Sequence, residues 1–285
     1  MPRVCAMLMV GIMALAGSAA AQAPEFEMTR LRDGVHLFRW RAHQSLVVLT
    51  DAGVVIVDPI SPEASAQLAE EIGRLAPGRP LRAIVYSHHH ADHASGAMVL
   101  KQRLSGDAVI VAHGAAAPRI TEMASAELPP PDITFTTKLT LHFGGRAIEL
   151  HYLGRSHSDN MVVTYLPAER LAFAVDFVSN DRVGYRDLPD YYFPDFFTTL
   201  ERLLELDFET IAFGHGPPGD RSSIERQLAY YRDLRAAVAG AVERGWSEDE
   251  AAQRVTLPQY RAWGGYEDWY PLNVRAMYRW VAASR

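Results

Sequence analysis

Through the first half of the chain, short apolar runs rich in β-branched residues alternate with segments of helical spacing. Ser45 to Thr50 and Gly53 to Val57 have the first character and predict strands. Ala64 to Leu75 repeats its apolar positions at helical spacing until Pro77-Gly78 ends the pattern. Arg82 to Tyr86 predicts a third strand, Ala97 to Arg103 a helix, and Val109 to Ala112 another strand. Such alternation is the signature of an α/β fold.

The pattern changes after Pro129-Pro130-Pro131. Ile133 to Phe143 and Arg146 to Leu153 flank Gly144-Gly145 and predict a hairpin. Met161 to Tyr165 and Leu171 to Val175 predict two further strands, followed by an aromatic-rich loop and a helix from about Phe196 to Leu206. A strand over Thr210 to Phe213 then leads into a mainly helical C-terminal region from about residue 221. Two strand-rich halves with helices around them predict two sheets packed face to face with helices outside. Neither an internal repeat nor a low-complexity linker divides residues 24–285, which predicts one domain.

Residues 1–23 read differently. Arg3 precedes the apolar stretch Cys5 to Gly17, and Ala19-Ala20-Ala21 supplies a small-residue cleavage pattern. This predicts a secretory signal peptide and an exported protein, periplasmic or secreted. The stretch is shorter than the roughly 20 residues a spanning helix needs, and Cys5 has no lipid-attachment context, so no membrane anchor is expected after its removal. Since Cys5 is the chain's one cysteine, the mature protein would carry no thiol. Disulfides, cysteine nucleophiles and thiolate-held metals are thereby excluded.

Composition narrows the chemistry further. An apolar content of 48% excludes a disordered or fibrous chain, and a net charge of -6 without any basic run excludes nucleic acid as a partner. Lys101 and Lys138 are the only lysines, so the positive charge is nearly all arginine. What remains for chemistry is histidine, carboxylate and hydroxyl.

Those groups are concentrated directly after the strand that ends at Tyr86, in Ser87-His88-His89-His90-Ala91-Asp92-His93, which contains H-x-H-x-D-H. Four imidazoles and a carboxylate within six residues would repel one another or stay unsatisfied if they were merely packed. A divalent cation, by contrast, takes neutral imidazole nitrogen and carboxylate oxygen together. His157, Asp176 and His215 each follow a predicted strand, where the loops of an α/β fold converge on a site. Taken singly, each would more often be structural. His89, His36, His43, His113, His142 and His151 show no partner pattern and are expected to be ordinary surface or core histidines.

With its motifs in this order, the stretch from about Val35 to Pro217 resembles the metallo-β-lactamase superfamily. The resemblance implies a four-layer αββα sandwich with a metal site at one edge. It implies that His88, His90 and His157 hold one divalent metal ion, that Asp92, His93 and His215 hold a second, and that Asp176 bridges them. Zinc is the metal this donor set suits best, with iron or manganese also admitted. Asp58 matches the family's early aspartate, implied to orient a ligand histidine; an ordinary turn aspartate before Pro59 is the competing reading. Many β-lactamases of the fold place cysteine or serine where this chain has Asp176, whereas glyoxalase II-like thioesterases and lactonases carry a bridging aspartate.

The implied activity is hydrolysis of a small-molecule acyl substrate, an ester, lactone, thioester or β-lactam, by a water that two cations bring near neutrality in pKa. Asp92 would steer the attacking oxygen and pass a proton to the leaving group. In the loop Phe177 to Phe197, Tyr185, Tyr191, Tyr192 and Phe193 are expected to wall the substrate pocket, with a second aromatic group, Tyr260 to Tyr270, capping it or packing the C-terminal helices. Two other functions use the same residues. A persulfide-type dioxygenase would hold a single iron through His88, His157 and Asp176, and a non-enzymatic protein would simply bind metal.

Overall fold

The computed structural model describes residues 25–284. The expected signal segment therefore lies outside the described residues. No helix among the described residues is long and apolar enough to cross a membrane.

Among the described residues, twelve strands form two sheets. The first holds β1 (Phe26–Arg32), β2 (Val35–Trp40), β3 (His43–Thr50), β4 (Gly53–Val57), β5 (Leu81–Val85), β6 (Val109–His113) and β7 (Ile133–Phe135), side by side in chain order. The second runs β12-β11-β10-β9-β8, built from β8 (Lys138–Phe143), β9 (Arg146–His151), β10 (Val163–Leu166), β11 (Leu171–Ala174) and β12 (Thr210–Phe213). Helices α1 (Pro62–Leu75), α2 (Ala91–Ala94), α3 (Ala97–Arg103) and α4 (Ala116–Met123) belong to the first half; α5 (Asp195–Glu205), α6 (Arg221–Glu243), α7 (Glu248–Arg254) and α8 (Tyr266–Ala283) to the second.

Alternation along the strands explains the layers. Leu46, Val48, Val55, Val57 and Val85 face inward and pack on Ile148, Leu150, Leu166 and Phe173 of the other sheet. Val47, Val54, Ile56 and Ile84, on the opposite face, join Leu68 and Ile72 of α1 and Leu100 of α3. The outer face of the second sheet is covered by α5, α6 and α8, whose Phe196, Leu200, Tyr231 and Val274 belong to the inner core cluster. This is the expected αββα sandwich.

Several boundaries differ from the sequence expectation. The stretch Ile133 to Phe143 is two strands, because the chain leaves the first sheet after Phe135 and enters the second at Lys138. The strands β1 and β2 and the helices α2 and α4 were not anticipated; α2, four residues long, is too short to show a helical period.

Strand direction puts the chemistry on one edge. β4 and β5 are parallel, so Asp58 and His88 emerge together. β3 runs antiparallel to β4, so its first residue, His43, lies at that same edge. In the other sheet β9, β11 and β12 share a direction, and the loops leaving them carry His157, Asp176 and His215. Gly96, between α2 and α3, lets the helix bearing Asp92 and His93 lie against the start of α1. A Cβ there would stand 2.0 Å from Ser65 Oγ, 2.6 Å from Ser61 O and 2.7 Å from Pro59 O. Gly96→Ala is therefore expected to cost about 1–3 kcal/mol, seen as a lowered Tm in thermal unfolding. A Tm equal to that of the unsubstituted protein would mean that α2 can shift without penalty.

Candidate metal centre

The centre is organised around Asp176, which follows β11 and whose carboxylate separates two groups of histidines. Its Oδ2 lies 3.3 Å from His88 Nε2 and 3.5 Å from His157 Nε2. Its Oδ1 lies 2.9 Å from His215 Nε2 and 3.2 Å from His93 Nε2. His88, His90, His157 and Asp176 bring one donor atom each to within 4.8 Å of one another, and His43, His93 and His215 do the same. Asp176 adopts φ 64°, a left-handed conformation that Asp tolerates better than most residues and that turns the carboxylate away from its own strand.

Behind the histidines, a second set of groups fixes which nitrogen faces the centre. The Ser87 hydroxyl donates to Asp58 Oδ2 at 2.7 Å, and the Ser87 N–H donates to Asp58 Oδ1 at 2.7 Å. Its hydrogen so committed, Ser87 Oγ accepts from His88 Nδ1–H at 2.9 Å, which leaves a bare lone pair on His88 Nε2. His93 Nδ1 lies 3.4 Å from Asp58 Oδ2. His215 Nδ1–H donates to Ala42 O at 2.7 Å, presenting Nε2 to Asp176. Asp58 is fully buried with φ 59° and touches both Ser87 and His93, more than a turn aspartate would do.

The donor set fits divalent cations. His88 Nε2, both ring nitrogens of His93, His157 Nδ1 and Asp176 Oδ1 are buried without a hydrogen-bond partner, an expensive condition for five polar atoms in one cluster. Burial pushes His88 down to about 3, so it stays a neutral donor. Burial also opposes ionisation of Asp176, yet the His93 charge and the surrounding imidazoles hold its carboxyl well below the usual range. His93, buried between the Asp176 and Asp58 carboxylates, is raised well above an ordinary histidine. The His88 lone pair aimed at an ionised carboxylate is what a bound cation would relieve, and at His93 the cation would take the place of the proton.

Asp92 differs from the rest of its motif. Its side chain is 61% exposed, with Oδ2 3.9 Å from His93 Nε2 but 3.2 Å from His43 Nε2. His43, expected to be an ordinary histidine, thus belongs to the centre. Its only sequence signal is its position at the start of a strand. His89 turns away, as expected, toward Asn160.

A cleft of about 420 Å3 opens over the centre. Tyr185 and Tyr191 line it, and Trp269 from the second aromatic group joins them. Tyr192 and Phe193 do not, which corrects the expectation for both. Phe193 stacks on Trp280 at 4.9 Å and Tyr192 lies under Arg155 at 5.3 Å, because the chain has already turned into α5. Sequence reading also missed Arg182, which lines the cleft with its guanidinium 4.5 Å from the Trp269 ring.

A two-sheet sandwich with a His/Asp cluster on the strand-end edge defines a metalloprotein class in which strands form the scaffold and loops the site. The chain belongs to the metallo-beta-lactamase superfamily, whose family model matches residues 38–215. It is 27% identical over 212 residues to the 2,4-dinitroanisole O-demethylase subunit alpha of Nocardioides sp. (strain JS1661), covering 73% of this chain and 63% of that protein. This match therefore spans less than two thirds of that relative's length. It is 26% identical over 188 residues to the metallo-beta-lactamase type 2 of Bacillus sp. (strain 170), covering 64% of this chain and 70% of the relative. Among solved structures, a metallo-beta-lactamase from Pontibacter korlensis superposes with a TM-score of 0.64 at 23% identity, covering 73% of this chain and 99% of that one. One from Erythrobacter litoralis, with beta mercaptoethanol in its active site, superposes with a TM-score of 0.62 at 21% identity, covering 74% and 98%. The structural likenesses establish the fold.

Proposed function

We propose that this protein is an exported hydrolase that holds two divalent metal ions, zinc by preference, and cleaves an ester, lactone, thioester or β-lactam. The observation that carries the reading is the Asp176 carboxylate, one oxygen toward His88 and His157 and the other toward His93 and His215. His88, His90 and His157 would hold one ion, His93 and His215 with Asp92 the other, and Asp176 both. When bound, such a pair polarises a carbonyl and acidifies water.

The chain's own groups do the rest. Asp58 and Ser87 keep His88 Nε2 and His93 Nε2 turned inward. The Asp92 carboxylate, exposed at the cleft, takes the proton of the attacking water and returns it to the leaving oxygen, sulfur or nitrogen. Tyr185, Tyr191 and Trp269 give the acyl group an apolar wall and exclude water from one side. A cleft of this size supports catalysis over metal storage, and a second histidine cluster supports two ions over a single iron.

Protein recovered from the periplasm or medium tests the whole reading. Elemental analysis should find two metal equivalents, intact mass should lack residues 1–21, and a panel of lactones, thioesters, aryl esters and β-lactams should show turnover. One tightly held iron with oxygen uptake would replace the hydrolase by the dioxygenase.

A further inference from the structure

The second histidine cluster has a member that neither the motif nor Asp176 requires. His43 opens β3 in the first sheet, far in sequence from every other residue of the centre. Its Nε2 approaches Asp92 Oδ2 at 3.2 Å, and its ring packs 4.7 Å from His215 and 5.2 Å from His93, centroid to centroid. A donor atom from each of His43, His93 and His215 falls within the 4.8 Å cluster. Within this cluster His93 Nε2 is buried and has no hydrogen-bond partner.

The preceding peptide strengthens the case. Ala42 O accepts from His215 Nδ1–H at 2.7 Å, so one turn of chain both aims the His215 donor nitrogen and presents the His43 ring. A histidine that only propped Asp92 would need no such registry with His215 and His93.

We propose that His43 is itself a ligand of the second cation, so that this site is built from His43, Asp92, His93 and His215 with Asp176 shared. The proposal rests on the two-ion reading above. Three imidazole nitrogens at one site favour zinc, cobalt, nickel or iron over magnesium and calcium. Asp92, freed from carrying the site's fourth position alone, keeps an oxygen open to the cleft.

Metal titration separates a ligand from a prop. Metal-free protein is titrated with Zn2+ against a competing chelator, and with Co2+ followed by its d–d absorption. For His43→Ala the second equivalent should bind at least about 100-fold more weakly, while the first binds as before and so reports an intact fold. The cobalt band added by the second equivalent should shift, since a nitrogen donor is lost. His43→Gln keeps a side-chain amide able to hydrogen-bond Asp92 but supplies a poor donor for these metals, and should be as weak as His43→Ala.

Wild-type affinity and an unshifted cobalt band in His43→Ala would overturn the proposal, as would full recovery in His43→Gln, which would reduce His43 to a support for Asp92. In either case two equivalents would still bind the wild-type protein and the two-ion reading would stand. A single equivalent in the wild type would remove both.

Discussion

Asp176→Asn is expected to weaken the second metal equivalent more than the first and to lower turnover by about 100-fold or more. The substitution keeps size, and Asn tolerates the left-handed φ of 64°, so the backbone is not the cause. What changes is charge and donor character. An amide cannot offer an anionic oxygen to both groups of imidazoles, and its NH2 would face either His88 and His157 or His93 and His215. The second equivalent suffers more because the shortest approach of the Asp176 carboxylate to an imidazole is that of Oδ1, 2.9 Å from His215 Nε2. Asp176→Ser removes the bridge outright and should abolish hydrolysis of esters and lactones. Retention of both metals and of ester hydrolysis in the Ser variant would show that Asp176 does not bridge, and would reopen a β-lactamase-like arrangement.

Stripping the metals should lower Tm by about 10 °C. An ion present at a thousandfold excess over its Kd stabilises the folded state by about 4 kcal/mol, and each kcal/mol moves Tm by roughly 2–4 °C in a domain of this size. The structure gives a local reason. Without cations the site retains the unpartnered Nε2 of His88 and a charged His93 held between the buried Asp58 and the largely shielded Asp176. Calorimetry of chelated and zinc-restored protein measures the difference. Equal Tm values would mean that the centre is already satisfied without metal.

The fold was largely legible because each sheet writes its period into the sequence. Val54 to Val57 and Leu171 to Ala174 are buried on both faces and read as continuous apolar runs. What escaped was the change of sheet at Thr136-Thr137, where β-branched residues continue with no turn signal. The motif His88 to His93 was legible because its members are neighbours in sequence. His157, Asp176 and His215 were legible through the strands that precede them. His43 was not, because only the antiparallel pairing of β3 with β4 brings it to the right edge. Tyr192 and Phe193 were misplaced for the opposite reason: aromatic composition locates a wall but not the residue at which the chain turns away from it.

That change of sheet also binds the sandwich like a book. β7 and β8 are joined by two residues, a covalent spine along one side. The fore-edge, where β1 lies over β12, is held by weaker means, among them the hydrogen bond from Arg32 to Thr210 Oγ1 at 2.6 Å. His88 and His157 hang from β5 and β9, nearer the spine, whereas His43 and His215 hang from β3 and β12, nearer the fore-edge. Local opening of the two leaves is therefore expected to reach the His43–His215 side before the His88–His157 side. If two ions are held as proposed, the one on that side is expected to exchange with the surroundings faster than the one by the spine.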